Sequence, residues 1–378
     1  MDLTFTDEEQ AFRAECRSWL EANAPHDLPS GDTRDGFAAH LEWERALFES
    51  RWAVVSWPEE YGGRGASPME WLIFEEEYYR ASGPQRVTQN GIFLLAPTVF
   101  EFGTPDQKDR ILPRMAAAED LWCQGWSEPN AGSDLAAIQS RAARDDEAGG
   151  WRLNGQKTWT TRGAFCTHLF GLFRSDPDAE RHRGLTYFLV PLDAEGITVR
   201  GFGRLDGDEG FAEVFLDDVF VPDSEVLGEV HQGWSVAMAT TSSERGLTLR
   251  SPGRFMATAA RLVELCRTTD AADDRLRDEV VDAWIDADAY RWQTFLTVTR
   301  MSDGEQLGAE SSMTKVFWSE LDVRLHESAL ELLGPDAETD ETGWMKSYQF
   351  ALSGPIYAGT NEIQRNVIAE RVLGLPRA

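Results

Sequence analysis

The run Gln124-Gly125-Trp126-Ser127-Glu128-Pro129-Asn130-Ala131-Gly132-Ser133-Asp134 joins small residues and two hydroxyls to a turn-forming Pro-Asn pair. A loop of that composition can offer backbone N–H groups and hydroxyls to an anion or to the edge of a heterocycle. It serves equally well as a plain connection between helix and strand. A second run, Lys157-Thr158-Trp159-Thr160-Thr161, follows an Asn154-Gly155 pair and has strand character. A lone Trp among hydroxyls reads by itself as sheet packing. A third, Ser242-Ser243-Glu244-Arg245-Gly246, places a carboxylate on a helical repeat with Trp234, Met238 and Leu249. Thr240 and Thr248 stand four residues either side of Glu244, so no cation pairs with it along the helix. No Gly-x-Gly-x-x-Gly follows a strand and no phosphate-loop motif occurs, which disfavours the ordinary nucleotide folds. His326-Glu327 lacks the second histidine of a zinc protease, the six histidines are dispersed, and no metal site is expected.

The elements that must hold these runs fall into three zones: 1–120, helical; 121–228, a small antiparallel β domain; and 229–378, helical again. In the first, Phe12, Cys16, Trp19 and Leu20 recur at helical spacing behind Thr6, an N-cap with Glu9 three residues on. Further helices are expected over His40–Ser50, Met69–Ala81 behind Pro68, Thr88–Phe102 and Asp106–Glu119. Strand-length runs in the second are Gln139–Arg144, Trp151–Leu153, Leu169–Phe173, Thr186–Val190, Thr198–Gly201 and Ala212–Leu216, punctuated by Gly149-Gly150, Asn154-Gly155 and Asp206-Gly207. The third begins a long helix at Trp234, interrupted near Pro252-Gly253, and continues through Glu279–Met301, Ser311–Leu333 and Asn361–Leu373.

Bulk properties narrow the partners. Asp plus Glu number 65 against 36 Lys plus Arg, a formal charge of −29 over 378 residues, and such a field repels nucleic acid and anionic membranes. Any polyanionic ligand therefore needs local cations and backbone donors. The four cysteines are scattered without a CxxC pair, the first residues carry no basic and apolar leader, and no apolar run approaches bilayer length. These features set the expectation of a cytoplasmic protein with free thiols.

Near the C-terminus stands Ile356-Tyr357-Ala358-Gly359-Thr360-Asn361-Glu362-Ile363-Gln364-Arg365. This stretch resembles the signature of acyl-CoA dehydrogenases, and the 124–134 loop and the 157–161 run occur in that family's order and separation. The resemblance covers nearly the whole chain. It implies a mainly α fold with a central β domain, in the three-domain architecture of helical domain, β-barrel and four-helix bundle. It also implies FAD as cofactor and α,β-desaturation of an acyl-CoA thioester. By that resemblance Gln124, Trp126, Ser127, Gly132 and Ser133 line the flavin. Ser127 matches a hydroxyl on its pyrimidine side, and Ser133 a position near the pyrophosphate. Trp159 matches the indole that covers the ring and Thr161 the hydroxyl bonded to N5, while Thr360 and Glu362 fall near the cofactor.

Many members carry their catalytic glutamate directly after the tyrosine, where this chain has Ala358. In the isovaleryl-CoA and long-chain branches the base instead lies on the long helix, followed by Arg, with Ala or Gly after the tyrosine. Glu244-Arg245 and Ala358 show both halves of that exchange, which implies Glu244 as the base for the α-proton. Burial raises a carboxylate's pKa towards neutrality and suits it to that task. Arg245, Ala358 and Gly359 are assigned to substrate binding, the Ala358 N–H holding the thioester oxygen, a type of contact worth about 3–4 kcal/mol at other sites.

Two family features are missing. Leu265–Asp286 contains no Arg-x-x-Phe-Gly, and Leu332–Glu338 replaces a Gly-Gly-x-Gly-Tyr stretch. Both concern contacts across a subunit interface. The expected assembly is therefore either a homo-oligomer with altered adenine contacts or an α2β2 heterotetramer with a second dehydrogenase-like chain. An electron-transferring flavoprotein is the implied acceptor. Flavin oxidases and monooxygenases share the architecture and form the alternative chemistry, and a partner subunit of a heteromeric dehydrogenase is the other alternative.

Overall fold

The computed structural model describes residues 4–245, 251–269, 273–305, 308–339 and 343–376, with only the backbone for 242–245. The chain divides into two compact units: residues 1–26, 66–84 and 245–378 form one, and residues 27–65 and 85–244 the other.

The first unit is helical. Helix α1 (Asp7–Asn23) starts with the expected capping box: Glu9 N donates to Thr6 Oγ1 at 3.1 Å and Thr6 N to Glu9 Oε2 at 2.8 Å. Helix α2 (Arg34–Glu49), which belongs to the second unit, begins six residues before the expected His40, because Thr33 caps it at Gly36 N. Helix α3 (Pro68–Arg80) opens with Pro68 behind a Ser67–Glu70 capping box. It packs on α1 through a buried carboxylate: Glu77 takes Arg13 and Arg17, each at 2.8 Å.

In the second unit a π-helical segment, Asn90–Leu95, runs into α4 (Ala96–Phe102), where one continuous helix is expected. Helix α5 (Pro105–Ala116) accommodates Pro113. The sheet follows, as β1 (Trp122–Gly125), β2 (Arg141–Asp145), β3 (Gly150–Thr161), β4 (His168–Arg174), β5 (Leu185–Pro191), β6 (Ile197–Phe202) and β7 (Phe211–Pro222). Their order is β1-β4-β2-β3-β7-β6, with β5 also on β4.

Two expectations fail here. The sheet is mixed rather than antiparallel, since β1 and the start of β2 run parallel to β4. Strand β1 is too short for a periodicity signal, and the loop after it hid its direction. Asn154-Gly155 is not a turn but lies inside β3, at a register shift where Gly155 takes φ +149°. A Cβ on Gly155 would stand 2.2 Å from Ser140 Oγ, so glycine is needed for close approach. Leu153, Leu169, Phe173, Phe188, Val190, Val214 and Val219 fill the core under the sheet.

The unit closes with α6 (Gly233–Arg245). The first unit resumes with α7 (Pro252–Thr268), α8 (Asp274–Ser302), α9 (Ser311–Leu333), α10 (Trp344–Ala351) and α11 (Asn361–Val367), the last passing into a π-helical turn at 368–372. The interruption expected near Pro252 is the start of α7, capped by Ser251. Phe255, Ala259, Leu262, Ala287, Leu321 and Leu325 form the centre of this helical packing. At Gly253 the backbones of α7 and α3 meet: a Cβ would lie 2.7 Å from Glu75 O and 3.1 Å from Glu76 Cα. Neither atom belongs to a side chain that can swing away. Gly253→Ala is expected to destabilise the protein by about 1–3 kcal/mol, read as a lower denaturant midpoint. An unchanged midpoint would show that the helices separate freely.

Candidate functional site

Strand β1 delivers the 126–134 loop. Gly125 ends the strand against β4, where a Cβ would meet Leu169 Cδ1 at 2.5 Å. Trp126 is buried, with its ring edge-on to Tyr187 at 6.3 Å and its Nε1 without a partner. Glu128 and Ala131 exchange both backbone bonds at 3.0 Å, so Pro129 and Asn130 form the exposed tip of a tight turn. Gln124 and Ser127 are half-buried, and Ser133 is exposed. A Cβ on Gly132 would touch nothing within 4 Å, leaving the outer side of the loop open. Ser127 O accepts Thr158 N at 2.9 Å, which ties the loop to β3.

Strand β3 carries a bulge at the second motif. Lys157 pairs with Val214 and Thr160 with Ala212, so three steps on β3 face two on β7. Trp159 takes φ +58°, an unfavourable conformation for an aromatic residue, and its indole is 59% exposed. The rings of Phe202 and Phe211 meet it edge-on at 5.2 and 5.5 Å and prop it on the surface. Thr160 turns inward and donates to Ala212 O at 2.7 Å. Thr161 is half-buried. Among the described residues the hydroxyls of Ser127, Ser133 and Thr161 make no hydrogen bond to the protein. An exposed, backbone-strained indole on a strand tied to a loop that carries accessible hydroxyls suits a flat heterocycle with polar edges. The residues present therefore fit a flavin.

The charges that support this unit were not legible as functional groups. Lys157 is fully buried, and its Nζ reaches Glu128 Oε1 at 2.8 Å. Burial pushes the Lys157 ammonium down to about 8, so it stays a cation at neutral pH. Burial is the largest influence on Glu128 and opposes its ionisation, but the Lys157 charge together with the hydrogen bonds from Lys157, Gln139 and Ser140 holds the carboxyl below its usual range. Arg162, next after Thr161, is buried with φ +55° and donates from Nε to Asp32 Oδ1 at 2.6 Å. Asp32 Oδ2 takes Arg204 at 2.7 Å. Arg162 also donates to Arg86 O at 3.3 Å, and Arg86 pairs with buried Glu44 at 2.7 Å. Pairing between residues so far apart in the chain leaves no local signal; Arg162 directly after the Thr160-Thr161 pair was the one pointer available.

In the helical unit the C-terminal signature forms a tight bend before α11. Ala358 takes φ +55° and Gly359 φ +78°. Gln364 Nε2 donates to Ala358 O at 2.7 Å, and buried Asn361 is gripped by Lys315 Nζ at 2.8 Å and Ser319 Oγ at 3.1 Å. Tyr357 packs on Trp318 with ring centres 5.9 Å apart. These contacts fix the bend, while the Ala358 N–H has no acceptor among the described residues. Thr360 caps α11 by accepting Ile363 N at 3.3 Å. Glu362 is exposed, and its own backbone N–H, then the Thr360 hydroxyl, hold its carboxyl below the usual range.

Gln124, Trp126, Ser127, Gly132, Ser133, Trp159 and Thr161 thus share one unit, and Ala358, Gly359, Thr360 and Glu362 belong to the other. The side chains of Glu244 and Arg245 lie outside the described residues. Their backbone forms the last turn of α6, on which Val236, Ala237 and Thr240 are buried. Among the described residues no group of three or more His, Cys, Asp or Glu is placed to hold a metal, and no helix is long and apolar enough to cross a membrane.

Comparison with known proteins matches three consecutive family models. They are the acyl-CoA dehydrogenase N-terminal domain over residues 6–119, the middle domain over 123–219 and the C-terminal domain over 231–373. The chain is 41% identical to the acyl-CoA dehydrogenase IpdE1 of Mycolicibacterium smegmatis, over 98% of both chains. It is 39% identical to IpdE1 of Mycobacterium tuberculosis, over 97% of this chain and 98% of that one. Among solved structures, the Tcur3481-Tcur3483 steroid ACAD superimposes with a TM-score of 0.89 at 26% identity, over the full length of both chains. The ChsE4-ChsE5 complex from Mycobacterium tuberculosis does so with a TM-score of 0.84 at 28% identity, also over both full lengths.

Proposed function

We propose, for a chain that belongs to the acyl-CoA dehydrogenase family and is therefore an FAD-dependent oxidoreductase acting on acyl-CoA, a desaturation in which Glu244 removes the α-proton. FAD supplies the acceptor, at N5, for the β-hydride. The chain's own residues do the rest. Trp159 covers the ring, while Ser127 and Thr161, whose hydroxyls have no partner among the described residues, bond its polar edges. Gln124, Trp126, Gly132 and Ser133 line the cofactor with their loop, and Thr360 and Glu362 contribute from the α11 end. The N–H of Ala358, which has no acceptor among the described residues, donates to the thioester oxygen as it gains charge, with Gly359 beside it and Arg245 orienting the base. The observation that carries this reading is the exposed Trp159 held out on a bulge of β3, two residues before Thr161.

The substrate we infer is a steroid-derived acyl-CoA, supported by full-length similarity to a steroid ACAD at 26% identity. A heteromeric assembly with a second dehydrogenase-like chain is supported by two things: the missing Arg-x-x-Phe-Gly stretch, and the pairing of chains named in the two solved structures. We further propose three domains bounded near residues 120 and 228, a cytoplasmic location, and an electron-transferring flavoprotein as acceptor.

The test is turnover with a dye acceptor on a panel of straight-chain and steroid side-chain CoA thioesters, following 2-enoyl-CoA and dissolved oxygen together. The reading expects enoyl product with the steroid thioesters and no matching oxygen uptake. Oxygen consumed in step with substrate would replace the dehydrogenase by an oxidase. A preference for straight chains would remove the steroid assignment alone.

A further inference from the structure

We propose that the buried Lys157–Glu128 ion pair is the positioning element of the flavin site, holding the 126–133 loop at a fixed distance from the Trp159 bulge. The inference rests on the cofactor reading above and adds to it the residues that make the cradle one object.

The contacts of the ammonium are specific. Nζ lies 2.8 Å from Glu128 Oε1 and 3.5 Å from Trp126 O, so it holds the residues on both sides of Ser127. Its third contact is Leu172 O on β4 at 2.8 Å. Glu128 is in turn fixed by Gln139 N on Oε2 at 2.6 Å and Ser140 N on Oε1 at 2.9 Å. The Lys157 backbone, meanwhile, pairs with Val214 as the last residue in register before the bulge. One side chain therefore links β3, β4, the loop and the bulge from inside the core. Thr158 N to Ser127 O at 2.9 Å is a second, shorter tie along the same line.

A purely structural role predicts something different. A buried ion pair is often no more stabilising than an uncharged pair of similar volume, and where it is useful it fixes register. The double variant Lys157→Met with Glu128→Gln keeps side-chain volume and buries no charge. Its apoprotein is expected to unfold close to the wild-type temperature. Its affinity for FAD is expected to fall roughly tenfold, as when one buried hydrogen-bonded partner is lost. The visible-region circular dichroism of its bound flavin, which reads the asymmetry around the ring, is expected to change. Lys157→Arg, which keeps the charge but moves the donors, should fall between the two proteins on both readouts. If the double variant does not fold, Lys157→Arg carries the test alone. Unchanged FAD affinity and unchanged visible dichroism in a folded variant would overturn the proposal and leave the cofactor reading intact. A wild-type protein that binds no FAD would overturn both.

Discussion

Glu244→Gln is expected to give a folded, yellow protein whose desaturation is slower by about 10²–10⁴-fold, the range that a positioned general base contributes. The substitution keeps size and hydrogen-bonding ability and removes only the capacity to take a proton. Two observations support choosing this residue. Position 358, where many relatives have their glutamate, holds an alanine whose backbone is turned to φ +55° and whose N–H has no acceptor among the described residues. Position 244 lies in the last turn of α6, four residues after Thr240 and seven after Ala237, both fully buried. The loss should appear in kcat and kcat/KM together, since proton transfer belongs to the transition state alone. FAD content should be unaffected. Near-normal turnover by this variant would remove Glu244 from the mechanism.

Asp32→Ala is expected to cost about 3–5 kcal/mol of stability, the penalty for leaving a buried charge without its partner. Asp32 is 4% exposed and bonds two guanidinium groups, Arg162 at 2.6 Å and Arg204 at 2.7 Å. Arg204 retains Asp206 at 2.7 Å after the change. Arg162, 2% exposed, would keep among the described residues the Arg86 carbonyl alone. The same carboxylate predicts a pH dependence. Burial is the largest influence and opposes its ionisation, but the charges and hydrogen bonds of Arg162 and Arg204 together hold its folded-state pKa below the ordinary value. A depressed carboxylate binds fewer protons in the folded state. Its contribution is therefore complete above the ordinary aspartate pKa of about 3.9 and is lost as pH falls through the lower, folded-state value. Denaturant midpoints from neutral pH down into that range should fall more steeply for the wild type than for Asp32→Asn. Parallel curves would show that the network does not titrate with folding.

The parts of the fold carried by local chemistry were readable in advance. Thr6 with Glu9, and Pro68 at the head of α3, announce their helices because capping involves residues three apart. The site was readable in a different sense: the loop, the Trp-x-Thr run and the tyrosine signature carry a resemblance, and the structure adds why they are unusual. Taken by itself Trp159 reads as sheet packing, and only the resemblance gives it a place over a flavin; it is mostly exposed, at an extra residue in β3. What stayed hidden depends on distant partners. Lys157 has nothing in its own neighbourhood to foretell Glu128, and Arg162 nothing to foretell Asp32. The parallel pairing of β1 with β4 was lost for the same reason, since strand direction is set by contacts some forty residues apart and not by the alternation within four residues.

The most direct measurement is an anaerobic titration of the purified, FAD-loaded protein with steroid side-chain acyl-CoA, recording the oxidised flavin's visible absorption and the thioester product. The account predicts progressive bleaching of the flavin, with 2-enoyl-CoA formed in proportion, and no bleaching on that timescale with Glu244→Gln. A flavin that stays oxidised against the whole panel of acyl thioesters, or that bleaches equally fast in the variant, would contradict it.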